Sequence, residues 1–314
     1  MKILVTGGAG FIASHVVDRY IAEGHRVVVL DDLSTGREEN LNPGAAFYKM
    51  DIRDGGIADL FAKEKIDVVV HHAAQMDVRR SVDDPRFDAD VNIGGTINLL
   101  EQGRRHGLGR FIFASTGGAI YGEQDTFPAD EDHAARPLSP YGITKLAGEK
   151  YLYYYKEIHG IDYVVLRYAN VYGPRQNPHG EAGVVAIFTE KMLRGEEPLI
   201  NGDGGQTRDY VYVDDVVEAN YRALSAGEGG TFNIGTALET DVNTLFRILS
   251  VKTESACRES YGPAKEGEQR RSVIDWKRAE AVLGWRPRVP LDKGLSETVD
   301  YFLREHGTAK GTEE

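Results

Sequence analysis

One cysteine, Cys257, stands in a chain of 314 residues. A single thiol cannot close an internal disulfide or build a multi-thiolate zinc site, which removes the disulfide scaffolds and the zinc-ribbon classes. Basic residues are in deficit: 37 Lys and Arg against 49 Asp and Glu leave a formal charge of −12. Nonspecific nucleic-acid binding needs a clustered basic face, so no nucleic-acid partner is expected. No apolar run approaches the ~18 residues of a membrane span. Met1-Lys2-Ile3-Leu4-Val5 runs straight into a glycine turn where a signal peptide would carry its apolar core. No membrane partner and a cytoplasmic location are therefore expected. The histidines fall at no metal-ligand spacing, and no metal is expected.

What is present is an ordinary globular balance over a length that suits one or two domains with a sizeable core. Short runs rich in β-branched residues recur at Ile3–Val5, Arg26–Leu30, Val68–Val70, Arg110–Phe113 and Tyr163–Leu166. Strands apolar on both faces belong to parallel sheets covered by helices. Helical patterns over 11–24, 92–107 and 143–159 lie between them. This alternation predicts an α/β fold, a doubly wound parallel sheet of the Rossmann type over 1–170. From about Val171 the pattern turns irregular and rich in Gly and Pro. A smaller mixed α/β C-terminal lobe is expected over 171–314, with some segments returning to the first domain.

The first strand enters Gly7-Gly8-Ala9-Gly10-Phe11-Ile12-Ala13 and a helix follows. Glycines let the backbone turn tightly and approach a pyrophosphate, whose charge meets free N–H groups at the helix start. The second strand ends about twenty residues on at Asp31-Asp32, where a carboxylate accepts from ribose hydroxyls and repels a 2′-phosphate. That choice favours NAD over NADP. Farther along, Tyr141 and Lys145 follow Pro140, where a helix can begin. At i and i+4 they share one helix face. An ammonium beside a phenol lowers the phenol pKa, and the phenolate can take a proton from a sugar hydroxyl. The fourth of the recognised strands ends Ala114-Ser115-Thr116-Gly117-Gly118. Thr116 is read as a hydrogen-bond donor there, with Ser115 in reserve.

Gly-x-x-Gly at the first turn, Tyr-x-x-x-Lys, His72-Ala73-Ala74-Gln75, Asn92, Leu166 to Arg175 and Arg208 to Asp215 occur in one order along nearly the whole chain. That series resembles the nucleotide-sugar epimerase/dehydratase family of extended short-chain dehydrogenases/reductases. Two departures stand out. Ala13 replaces the third glycine, and Gly117 falls where the family usually has Ser or Thr. The resemblance implies NAD bound by Gly7, Gly10, Phe11, Ile12, Asp31, Asp32, Ser34, Gly36, Asp51, Ile52, Ala73, Ala74, Gln75, Asn92, Tyr141, Lys145 and Tyr168. It also implies a UDP-sugar held by Asn170, Val184, Arg208, Tyr210, Lys265, Glu268, Arg271 and Ser272. Ser272 stands where a large Tyr restricts some members, so room for an N-acetyl group is expected. The implied activity is 4-epimerisation of a UDP-hexose through a 4-keto intermediate. A dehydratase, a uronic-acid epimerase or decarboxylase, and a non-catalytic NAD-binding regulator are the competing readings. A dehydratase generally carries an Asp-Glu pair after the strand, where this chain has Gly117-Gly118-Ala119. A homodimer through the helices at 92–107 and 143–159 is also implied.

Overall fold

The computed structural model describes residues 1–179, 183–227, 229–264 and 269–310. The first six strands are β1 (Lys2–Thr6), β2 (Arg26–Asp31), β3 (Ala46–Lys49), β4 (Val68–His71), β5 (Arg110–Thr116) and β6 (Asp162–Tyr168). The chain then leaves for β7 (Asn170–Tyr172), β8 (Leu199–Asn201) and β9 (Thr207–Tyr212), and comes back as β10 (Gly230–Ile234). The main sheet runs β3-β2-β1-β4-β5-β6-β10, and every neighbouring pair is parallel. Strand order reverses between β1 and β4, which opens a crevice at their carboxyl ends. In the remainder, β11 (Glu239–Asp241), β12 (Ser260–Gly262) and β13 (Arg271–Ser272) complete two small sheets. β11 and β13 flank β9, β7 also pairs with β9, and β12 pairs with β8.

The helices before the pair-bearing one are α1 (Phe11–Ala22), α2 (Ile57–Glu64), α3 (Val78–Asp83), α4 (Pro85–Ala89), α5 (Thr96–Arg105) and α6 (Gly117–Ile120). After them come α7 (Pro140–His159), α8 (Val184–Leu193), α9 (Val213–Ala223), α10 (Val242–Lys252), α11 (Lys277–Leu283) and α12 (Leu291–Lys310). Strand side chains alternate between two cores. Ile3, Val5, Val27 and Val29 face one cluster with Val16, Val17 and Tyr20 of α1. Leu4, Val28, Leu30 and Phe113 face the other with Phe61 of α2, Leu99 of α5 and Leu152 of α7. Period-two alternation with both sides buried is the signature of a sheet wrapped by helices on both faces.

The sequence pattern anticipates β1, β2, β4, β5 and β6 but not β3, whose side chains are mostly exposed at the sheet edge. The chain does turn irregular near 170, yet β10 rejoins the main sheet and α9 packs on α1. Among the described residues, no helix is long and apolar enough to cross a membrane.

Candidate active site

The turn after β1 is built for close approach of another group. Gly7 sits at φ +71°, and a Cβ there would stand 2.7 Å from the Ala73 amide nitrogen. Its own amide donates to Leu30 O at 2.8 Å, which ties the turn to β2. Gly10 caps α1, no side chain satisfies the first amides, and no acid lies in the first turn. The N–H groups of the Phe11 and Ile12 turn thus face the crevice with the positive end of the helix behind them. Asp31 ends β2 and is buried; its carboxylate accepts from the Ala9 amide at 3.0 Å and the Leu33 amide at 2.8 Å. Burial raises its pKa against those two bonds. Asp31 is thereby a brace of the turn. Asp32 is exposed and accepts from the Ser34 amide and hydroxyl at 2.9 and 2.6 Å. Gly36 lies against Asp31, where a Cβ would come within 2.8 Å of Oδ1. These features fit a dinucleotide: an uncapped helix start, a turn with no room for a Cβ, and an acid at the second strand's end.

Farther along the crevice the fit is less direct. Asp51 is held by Arg53, which donates to both of its oxygens, and this lowers its pKa. Ile52 is buried and presses on Gly95. Ala73 and Ala74 follow β4 beside Gly7. At Gln75 and Asn92 the polar atoms of both side chains are taken by the protein. The Asn92 side chain accepts from the Gln75 amide at 2.9 Å and donates to Gln75 O, Asp88 and Thr144. The Gln75 side chain bonds Asp77 and Asp88. Both frame the crevice rather than reaching into it with free groups. The frame's centre is Asp88, a fully buried carboxylate that the motifs do not reveal. No short pattern marks it; only the fold brings α4, α7 and the end of β4 together.

Tyr141 and Lys145 lie in the first turns of α7. Ser139 caps that helix by accepting from the Gly142 amide, and Pro140 starts it. Gly142 is pressed to α6, since a Cβ there would meet Ala119 O at 2.7 Å. The Lys145 ammonium donates to Ala114 O at 3.0 Å and lies 5.9 Å from the centre of the Tyr141 ring. Burial depresses Lys145 to about 8, with the charges of Asp88 and Glu149 opposing it. The expected depression of the phenol by Lys145 is not met in the protein alone. Burial, and after it the Asp88 charge, hold Tyr141 above the ordinary phenol range.

Thr116 ends β5 and caps α6: its hydroxyl accepts from the Ala119 amide at 3.1 Å. The hydroxyl proton stays available for a second partner. The open space beside it is shared with Asn170, because a Cβ on Gly118 would lie 3.8 Å from Thr116 Oγ1 and 3.9 Å from Asn170 Oδ1. Ser115 corrects its reserve assignment. Successive strand residues point to opposite faces, and the Ser115 hydroxyl donates to Glu149 at 2.6 Å in a buried network with Arg167. Gly117 packs against Ile274. A side chain on it would strike Ile274, whose Cδ1 lies 2.8 Å from the ideal Cβ.

The lobe side gathers on β9. Asn170 pairs with Tyr210 in register, and Ser272 on β13 pairs with Arg208. Ser272 is buried. Arg208 donates to Thr207 O at 2.8 Å. Its neighbour Asp209 turns the other way, taking the Thr236 hydroxyl and the Thr236 and Ala237 amides, so the two form no local ion pair. Val184 opens α8, whose first turn carries no acid and no side-chain cap. Arg271 is turned outward, bidentate on Glu239 at 2.9 and 2.6 Å and stacked 3.7 Å over Phe127. Lys265 and Glu268 lie outside the described residues. Tyr168 is buried beside His72: Asn220 donates to its hydroxyl at 2.8 Å, and that hydroxyl lies 3.2 Å from His72 Nε2. Burial drives His72 down to about 3, and among the described residues its Nδ1 has no hydrogen-bond partner. Among the described residues no cluster of His, Cys, Asp or Glu could hold a metal ion.

Residues 3–235 match the family described as the NAD dependent epimerase/dehydratase family. A UDP-glucose 4-epimerase of Mycolicibacterium smegmatis is 48% identical over 308 residues, covering 96% of this chain and 98% of that protein. A crystal structure of a Thermotoga maritima UDP-glucose 4-epimerase with UDP-glucose superposes with a TM-score of 0.96 at 51% identity, over 98% of this chain and 100% of that one. A Thermus thermophilus UDP-glucose 4-epimerase in complex with NAD gives a TM-score of 0.92 at 44% identity, over 96% and 99%. With the glycine turn, the Tyr141–Lys145 pair and a match spanning most of its length, this chain belongs to the NAD dependent epimerase/dehydratase family.

Proposed function

We propose that the protein inverts C4 of a UDP-hexose, interconverting UDP-glucose and UDP-galactose with tightly held NAD. The observation that carries this reading is the convergence of Thr116, Tyr141 and Lys145 where α6 meets α7, at the carboxyl end of β5 and close to the glycine crevice. The relatives named above support the nucleotide and the sugar. Gly7, Gly10 and the first turn of α1 would hold the pyrophosphate, and Asp31 and Asp32 the adenosine ribose. Ser34, Gly36, Asp51 and Ile52 complete the adenosine side. NAD, when bound, would supply a reversible hydride acceptor.

Tyr141 takes the proton of the C4 hydroxyl as the carbon is oxidised and returns it after the sugar has turned over. Lys145 stabilises the phenolate, which partly buried Tyr141 does not form readily by itself. Thr116, whose own acceptor position is filled by the Ala119 amide, donates to the sugar oxygen. Asn170 and Arg208 hold the diphosphate, and the planar Arg fork suits two phosphate oxygens. Residues 1–170 with β10 serve as the cofactor domain, and the rest of 171–314 as the sugar-nucleotide lobe. The lobe's Ser272 leaves space for an N-acetyl group. Elimination chemistry is disfavoured by Gly117-Gly118 in place of an acidic pair.

A homodimer through α7 fits its outer face, where Tyr151, Tyr154 and Ile158 are exposed at helical spacing. A cytoplasmic location belongs to the same reading. Product analysis tests it: purified protein with UDP-galactose and, separately, UDP-N-acetylgalactosamine is followed by NMR, with and without added NAD. The C4 epimer of each is expected. No conversion of either by NAD-loaded protein would overturn the function, and conversion of UDP-galactose alone would overturn the reading of Ser272.

A further inference from the structure

Asp88 is an unusual place to bury a charge. Its side chain is fully buried, and among the described residues no cation lies within ion-pair distance of it. Three neutral groups hold it instead. Oδ1 accepts from Gln75 Nε2 at 3.0 Å and Asn92 Nδ2 at 3.1 Å, and Oδ2 accepts from the Thr144 hydroxyl at 2.8 Å. Thr144 lies between Tyr141 and Lys145 on α7, so this carboxylate grips the helix at the turn that carries both. Gln75 and Asn92 come from the strap after β4 and the π-helical stretch Asp90–Gly95. One acid thus joins the cofactor crevice to the proton-transfer helix. A buried, unpaired charge is normally expensive and is kept only where something opposite needs it.

The charges around Lys145 show what that is. From α7, Glu149 is already neutralised by Arg167 of β6, bidentate at 2.9 and 2.6 Å. His71, which ends β4, and His72, which follows it, are both held neutral by burial. Tyr141 is uncharged until it reacts. Among the described residues, the ionisable groups of this interior without an ion-pair partner are therefore Lys145 and Asp88. We propose that Asp88 is the positioning residue of the Tyr141–Lys145 pair: through Thr144 it sets the register of the helix turn that carries them, and its carboxylate is the counter-charge of the Lys145 ammonium. The inference rests on the reading of Tyr141 and Lys145 as the proton-transfer groups.

Two variants separate the two parts. Asp88→Asn keeps the shape and removes the charge; its amide can donate to Thr144 Oγ1, whose proton can turn to Tyr141 O, 3.0 Å away. Asp88 favours the protonated form of both Tyr141 and Lys145. Without its charge both should lose protons more easily, and the pH profile of kcat should move about one unit toward acid. Thr144→Val keeps the charge and cuts the link, so kcat should fall about tenfold with the profile in place, and Thr144→Ser should restore it. A merely structural Asp88 would lower activity equally at every pH. An Asp88→Asn profile that superposes on the parent's overturns the counter-charge, and a Thr144→Val variant with parental kcat overturns the positioning. If Asp88→Asn does not fold, the Thr144 pair alone decides. Tyr141→Phe is the separate control: parental activity in that variant sinks the proton-transfer reading itself, whatever the other variants do.

Discussion

Replacing Gly7 with alanine should injure cofactor binding. The residue sits at φ +71°, and its added Cβ would stand 2.7 Å from the Ala73 nitrogen and 3.0 Å from its Cα. Both are backbone atoms, so no side chain can swing aside. The left-handed conformation costs an alanine roughly 1–2 kcal/mol, and forcing an extra carbon into a filled space roughly 1–3 kcal/mol. The sum is about 2–5 kcal/mol, divided between stability and NAD affinity, because relief requires the β1–α1 turn to part from the end of β4. Gly24→Ala is the internal control. Gly24 has φ +80° with nothing within 4 Å of its Cβ, so it carries the backbone strain without the collision. Thermal unfolding with and without NAD, and calorimetric titration with NAD, read both parts. Gly24→Ala should lower Tm by a few degrees and leave NAD affinity alone. Gly7→Ala should lower Tm further and weaken NAD at least tenfold, since every 1.4 kcal/mol is a factor of ten. Equal Tm losses in the two variants, with NAD affinity intact in Gly7→Ala, would refute the reasoning.

Thr116→Val should lower kcat about a hundredfold with KM little changed, because a positioned donor is lost; steady-state kinetics on UDP-galactose check it. Ser115→Ala should keep kcat within about twofold and lose about 1 kcal/mol of stability, as its hydroxyl serves Glu149. Glu149→Leu strands the buried Arg167 guanidinium and should cost about 3–5 kcal/mol, read by denaturant unfolding. His72 contributes to acid sensitivity. Its folded pKa of about 3 lies below the ordinary 6.5, so the unfolded chain binds the extra proton between those values. The stability it contributes is present above pH 6.5 and lost as pH falls toward 3. His72→Phe should flatten that slope by at most about 1.4 kcal/mol per pH unit, measured by unfolding from pH 7 to 4.

Much of this site is visible in the chain because its parts are local. A turn that must bring backbone to a phosphate needs glycines in sequence, so Gly7 and Gly10 stand out beside their helix. Tyr141 and Lys145 share a face because they are one helical turn apart. Five strands declare themselves through β-branched runs buried on both sides, whereas β3 is an exposed edge and leaves no such pattern. What escapes the sequence is assembled across distance. Asp88 reaches Gln75, Asn92 and Thr144 only when α4 meets α7. Gly117 lies against Ile274, a neighbour far along the chain, where an added Cβ would stand 2.8 Å from Ile274 Cδ1. The Gln75 side chain spends its polar atoms on Asp77 and Asp88, and the Asn92 side chain on the Gln75 backbone, Asp88 and Thr144. Ser115 and Thr116 are adjacent in sequence and opposite in space, which strand geometry decides once the strand's end is known.

The central claim is that C4 is oxidised and reduced within one site by the same bound cofactor. UDP-galactose carrying deuterium at C4, incubated with the NAD-loaded protein in ordinary water and followed by NMR, tests this most directly. UDP-glucose with the deuterium still at C4 is expected, with no net accumulation of reduced cofactor. Loss of the label to solvent, or no epimer at all from protein shown to hold NAD, would contradict it.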